Sequence, residues 1–220
     1  MTPIAHIESP YGEKFGVPRQ SGMVDVVSTV VFEPPFRVAE ALRGLDGFSH
    51  LWLIWLFHKA QREDWSPTVR PPRLGGNTRV GVFATRSPFR PNAIGLSAVK
   101  LLGVEDDPTR GPIIKVSGAD LMDGTPILDI KPYLPYADSI AEATGGFATQ
   151  ADDRSLRVVF APETMRCLES EMVEQLRQVI AHDPRPRYHD DPHRLYGMTF
   201  AGHEVRFTID DGCATVVSVE

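Results

Sequence analysis

Seven consecutive apolar residues, Leu51-Trp-Leu-Ile-Trp-Leu-Phe57, stand between His50 and His58. The run is far too short to cross a bilayer and has the length of a strand covered on both faces. Trp52 and Trp55 then fall on opposite faces, both packed in a core. Further short apolar segments follow the same rhythm: Met23 to Val31, Arg79 to Thr85, Ile94 to Leu102, Ile113 to Ser117 and Ile127 to Ile130. Glycine and proline punctuate them at Gly75-Gly76, Pro88, Pro91, Gly111-Pro112 and Gly124. Such a series predicts a mainly β domain, a small barrel or sandwich. One helix is expected among these strands, where Phe36, Ala39, Leu42 and Leu45 recur at three-residue spacing before Gly47.

The last third has a different pattern. Met165, Leu168, Met172, Leu176 and Val179 lie three or four apart, which predicts an amphipathic helix ending near His182, before Pro184. Phe200 to Ile209 and Cys213 to Val219 read as two strands joined by Asp210-Asp211-Gly212, a good hairpin turn. The expected organisation is a β domain over 1–137, a linker over 138–153 and a small α+β domain over 154–220.

An apolar content of 42% with 24% charged residues fits a soluble globular chain. The N-terminus has neither a basic start nor an apolar segment, so no export signal is visible. Cys167 and Cys213 are the only cysteines, so neither a disulfide scaffold nor a cysteine zinc cluster is expected, and a reducing cytoplasm is the natural setting. No metal is expected at His189 and His193, because Pro192 interrupts them and further ligands are lacking. There is no Rossmann or Walker glycine loop and no Ser-centred nucleophile elbow.

Net charge is −6, yet the span from Lys59 to Lys100 carries eight basic residues against Glu63 and Asp64, a local excess of +6. A local basic face suits a phosphate backbone whatever the total. Within it, Gly81 to Asn92 (GVFATRSPFRPN) begins like a strand and ends in a proline-braced turn. Prolines fix backbone angles, so Arg86 and Arg90 are held rather than floppy, as recognition of an anion or carbonyl requires. Trp65, near Arg62, Arg70 and Arg73, is a candidate for stacking on a base. Asp129 lies between Leu128 and Ile130 and must face outward or find a partner, with Lys131 the nearest on its own face.

Four stretches together carry a family likeness: SPYGEKFGVPRQ (9–20), GFSHLWLIWLFH (47–58), RPPRLGGNTRVGVFATRSPFRPNAIGLS (70–97) and DLMDGTPILDIKPYLPYAD (120–138). They resemble the TsaA-like family, and DPRPRY (183–188) with LYGMTF (195–200) extends the likeness to the C-terminus. The resemblance implies a single-sheet β-barrel binding S-adenosylmethionine, a homodimer with the cofactor pocket near its interface, and methyl transfer to N6 of threonylcarbamoyl-adenosine at tRNA position 37. Carried over, the cofactor contacts are Pro18, Arg19, Gln20, His58, Lys59, Arg86, Leu96, Asp123, Gly124, Thr125 and Pro126. Lys59 departs from the neutral polar residue of the family pattern, and Ala201-Gly202-His203 departs from its aromatic-Asp-Phe-like run. Alternatives are a different small acceptor, for which that altered segment leaves room, or a non-catalytic RNA-binding barrel.

Methyl transfer from a sulfonium needs alignment above all, and alignment can supply roughly 7–11 kcal/mol. Arg86 and Arg90 are candidates to stabilise negative charge on the acceptor, and His58 and Asp123, or water, to take its proton. Arg62, Arg70, Arg73 and Arg79 are candidates to grip the tRNA backbone.

Overall fold

The computed structural model describes residues 1–60, 64–71, 74–150, 155–165, 168–185 and 191–220, with residue 150 by its backbone alone. Arg62, Glu63, Arg73, Cys167 and His189, named above, lie outside the described residues.

The chain forms β1 (Ala5–Glu8), β2 (Val27–Phe32), β3 (His50–Leu56), β4 (Thr68–Val69), β5 (Val80–Gly81), β6 (Ile94–Asp107), β7 (Gly111–Ser117) and β8 (Thr125–Pro132). Six of these close an antiparallel barrel in the order β1-β2-β7-β6-β3-β8, while β4 and β5 pair as a separate ribbon. The single-sheet barrel implied by the resemblance is therefore present, and the sandwich is excluded. The inward face is a continuous core that includes Ile7, Leu51, Leu53, Trp55, Ile114, Val116 and Ile127.

The apolar run of β3 is covered less evenly than expected. Its burial alternates strictly, with Leu51, Leu53 and Trp55 inside and Trp52, Ile54 and Leu56 half-exposed outside. Trp52 is thus not a core residue: its indole donates to Asp138 Oδ2 at 3.0 Å and its ring leans on Tyr133. Trp55 lies over Gly95 on β6, where an added Cβ would fall 2.2 Å from the indole. Glycine there is a packing requirement.

A bulge at Leu128 shifts the register of β8 on β3, so Asp129 sits opposite Ile54 on the outer face. There it pairs with Lys131 at 2.9 Å, the partner expected from sequence. The expected helix near Phe36 is instead three 3₁₀ turns, Pro34–Phe36, Ala39–Leu42 and Leu45–Gly47. A three-residue apolar repeat matches three residues per turn, not 3.6. Leu42 and Leu45 close one end of the barrel core.

After residue 150 a second unit forms: β9 (Arg157–Phe160), β10 (Tyr196–Phe200), β11 (His203–Asp210) and β12 (Cys213–Val219), in sheet order β10-β11-β12-β9, under a helix at Ser170–Ala181. The helix starts later than the periodicity suggests. Met165 belongs to a separate turn, Pro162–Met165, and is half-exposed. The expected strand from Phe200 to Ile209 is two strands, because Ala201 (φ 50°) and Gly202 (φ 82°) reverse the chain. The Asp211-Gly212 turn is as expected, with φ of 41° and 70°. Among the described residues no helix is long and apolar enough to cross a membrane.

Candidate active site

Because all barrel neighbours are antiparallel, alternate connections leave the same end. One end carries three connections: 9–26 between β1 and β2, 57–93 between β3 and β6, and 118–124 between β7 and β8. Pro18, Arg19 and Gln20 lie on the first. His58, Lys59, Arg70, Arg79, Arg86 and Arg90 lie on the second. Asp123 and Gly124 lie on the third. Thr125 and Pro126 open β8, and Leu96 is the third residue of β6 from the same end. The described cofactor, catalytic and tRNA-contact candidates thus lie on the connections at one end of the barrel or at the strand starts beside them.

Direct contacts join the three connections. Arg86 Nη1 donates to Gln20 Oε1, linking the second to the first. Asp120, a residue the sequence reading passed over, links all three. Its carboxylate accepts from the Ser97 hydroxyl at 2.5 Å and from the Ser21 amide, and it feels the Arg86 charge. Ser97 in turn accepts from the Trp55 indole at 3.0 Å. Burial raises the Asp120 pKa above the usual carboxylate range, opposed by the Ser97 hydroxyl, its own and the Ser21 amides, and Arg86. The Tyr11 hydroxyl is buried without a hydrogen-bond partner; burial, then the Asp120 charge, raises its pKa well beyond the usual phenol range. The signal available in the sequence was a carboxylate between apolar Ala119 and Leu121, the pattern that drew attention to Asp129.

The proline-rich turn bonds to itself. Thr85 bonds back to Val82, the Ser87 amide donates to Thr85 Oγ1 at 3.2 Å, and the Phe89 amide donates to Ser87 Oγ at 3.3 Å. Arg90 Nη1 donates to the carbonyls of Thr85 (3.0 Å) and Ser87 (3.4 Å), so Arg90 braces the turn from within. Arg86 is exposed and is the one that reaches another loop. The strand expected over Arg79 to Thr85 is only Val80–Gly81, followed by a 3₁₀ turn, because its pairing partner β4 has two residues.

His58 is half-buried. Burial, then the Lys59 charge, lowers its pKa, and a bond to the Leu56 backbone opposes them. Its imidazole is therefore neutral near neutral pH, the form that accepts a proton. The exposed Asp123 carboxylate accepts from the Ser9 amide at 3.0 Å. The Gly124 amide donates to Ile7, and the buried Thr125 hydroxyl donates to Met122 at 2.6 Å, so both help build the end of β8. Gly124 and Pro126 also line a cleft of about 470 Å³ with His6 and Glu33.

The second unit holds the first connection. Tyr11, Val24 and Val26 are buried in its core, with Phe15, Val17 and Met23 packed against it. Arg19 Nη2 donates to the Asp183 carbonyl at 2.8 Å, and the Ala201 amide donates to the Pro10 carbonyl at 2.8 Å. The Ala201-Gly202-His203 segment is therefore a hairpin turn with its tip docked beside the barrel.

The tRNA-methyltransferase O N-terminal domain matches residues 6–139, and the TrmO C-terminal domain matches 153–220. An Escherichia coli (strain K12) protein named tRNA (adenine(37)-N6)-methyltransferase is 42% identical over 99% of this chain and 96% of its own. A Pyrococcus abyssi protein named a "probable S-adenosyl-L-methionine-binding protein" is 41% identical over 62% of this chain and 68% of its own. A crystal structure of TrmO from Pseudomonas aeruginosa has a TM-score of 0.80 at 36% identity, covering 100% of both chains. Closed barrel, loop-built mouth and matches together define a barrel-fold tRNA methyltransferase, distinct from those on a parallel Rossmann-like sheet. Within that class, the chain belongs to the TrmO family.

Proposed function

We propose that this chain transfers a methyl group from S-adenosylmethionine to N6 of adenosine 37 in tRNA, and that the acceptor is threonylcarbamoyl-adenosine. The observation that carries this reading is the convergence of the three connections on one barrel mouth, in a chain similar over nearly its full length to enzymes named for that reaction.

The residues at the mouth fit S-adenosylmethionine. Its carboxylate suits the Arg19 or Arg86 guanidinium, its ammonium or ribose suits Asp123, and its adenine suits the exposed side chain of Leu96. When bound, the cofactor supplies an electrophilic methyl on a sulfonium leaving group.

The chain's own residues do the rest. The Gln20–Arg86 bond fixes one guanidinium at the mouth, where it stabilises negative charge on the acceptor carbamoyl or its carboxylate. Neutral His58 takes the N6 proton, with Asp123 the other group of the mouth able to do so. Arg90 serves this chemistry by holding the turn that presents Arg86. Arg70 and Arg79 meet the tRNA backbone, and the active form is a cytoplasmic homodimer with the pocket near its interface.

Mass spectrometry of tRNA nucleosides tests the reaction: cells lacking the protein lose the N6-methylated threonylcarbamoyl-adenosine and regain it with the wild-type chain. Unchanged nucleosides refute the acceptor assignment. Arg86→Ala is expected to lower turnover by at least 100-fold, the order lost with one preorganised charge-stabilising donor. Intact cofactor affinity and turnover in that variant refute the role given to Arg86.

A further inference from the structure

Trp65 and Phe83 form an exposed aromatic stack on the outer side of the barrel mouth. Their ring centroids are 6.1 Å apart with planes 25° from parallel, and they remain 48% and 72% exposed. The backbone builds this pair. Val69 pairs with Val80 and Thr68 with Gly81, and the Val82 amide donates to the Pro67 carbonyl at 3.0 Å. That antiparallel register carries the two flanking aromatics to neighbouring positions at the open end of the ribbon. The Ser66 amide donates to the Phe89 carbonyl at 3.2 Å, tying Trp65 to the turn that carries Arg86. Beside the stack is a cleft of about 380 Å³, lined among others by Leu56, Trp65, Phe89, Arg90 and Asn92.

We propose that this stack is a platform for an unpaired RNA base, a nucleotide of the anticodon loop neighbouring the one that is methylated. The proposal rests on the tRNA reading above and adds a subsite to it. A flat aromatic face accepts any base, since every base has a π face. The charge of the connection that carries the stack favours a polyanion. Lys59, Arg70, Arg79, Arg86 and Arg90 lie on the same connection, with Asp64 the one acidic residue among those described there. Arg79 Nη1 is held toward the ribbon by Thr68 Oγ1 at 2.9 Å. A second copy of the chain is the poorer occupant of the stack itself, because a two-fold contact centred on it would set Arg79 against its own copy, and the dimer proposed above closes over another side of the mouth. Presenting a neighbouring base on the ribbon also fixes the register of the loop, which a phosphate grip alone does not.

The test uses the full-length protein and a 17-nucleotide anticodon stem–loop RNA carrying the acceptor. Trp65→Leu and Phe83→Leu are each expected to weaken RNA binding by about 5- to 100-fold, the range of one lost base stack. Trp65→Phe, which keeps an aromatic face, is expected to stay within about threefold of wild type. Cofactor affinity by calorimetry and the melting temperature remain at wild-type values in all three. An abasic residue at the stacked position weakens wild-type binding and erases the difference between wild type and Trp65→Leu. Wild-type RNA affinity and turnover in both leucine variants overturn the platform and leave the tRNA reading standing. A changed sedimentation coefficient with unchanged RNA affinity also overturns it, in favour of a contact between copies. Failure of the wild-type chain to bind or methylate the stem–loop removes both.

Discussion

Asp120 shows why single residues at this mouth resist reading in isolation. Its partners come from three segments of chain: Ser21 in the first connection, Arg86 in the second and Ser97 on β6. Burial favours its protonated form in the fold. Below the ordinary carboxyl range both the folded and unfolded states are protonated, and the group costs nothing. As pH rises through that range the unfolded chain ionises first, and stability falls until the folded carboxyl has ionised as well. Asp120→Asn abolishes this dependence. The melting temperature of the variant minus that of wild type is therefore expected to rise between pH 4 and pH 7. Parallel melting curves across that range contradict the account. Asp129 was legible from sequence because its partner Lys131 is two residues away on one strand face. The nearest of Asp120's side-chain partners, Ser97, is 23 residues away.

Secondary elements followed local chemistry closely where that chemistry was distinctive. Asp211-Gly212 makes a reversal with both central residues at positive φ, the geometry a two-residue hairpin needs. Ala201-Gly202 makes the same reversal, and alanine concealed it, because a side chain at φ 50° is costly and rarely chosen. Ala201→Asn relieves that cost while keeping the amide that donates to Pro10. The gain expected is about 0.5–1 kcal/mol, or roughly 1–4 °C in melting temperature for a chain of this size. A drop in melting temperature shows that the alanine methyl matters to the docked tip. The 3₁₀ turns before β3 and the short β5 were misread for a different reason. Periodicity reports which residues face inward, but the hydrogen-bonding partner decides whether a segment becomes helix, turn or strand.

At the scale of the whole molecule, the two units divide the work of holding one loop. The barrel fixes the ends of 9–26, and the second unit's core takes Tyr11, Val24 and Val26, leaving Gln20 to meet Arg86 and Arg19 to bond the second unit's Asp183 carbonyl. The linear boundary between the domains does not follow this packing, since barrel-side residues fill the other unit's core. Charge is divided as well: a chain of net −6 keeps its basic excess on one connection. Arg70→Ala and Arg79→Ala are each expected to flatten the salt dependence of tRNA binding by about 0.7–0.9 in the log–log slope, one phosphate contact apiece. Slopes unchanged in both place the phosphate grip elsewhere on the molecule.

Strand positions, turn dipeptides, the Asp129–Lys131 pair and the family likeness could all be read along the chain. Each depends on side-chain period, dihedral preference or neighbours a few residues apart, and those act without knowledge of the rest of the fold. Barrel closure brought three distant connections to one mouth, placed Asp120 between them, turned Trp52 outward, and set Trp65 beside Phe83. These outcomes depend on long-range pairing and on which surfaces find a partner, quantities no local window of sequence contains.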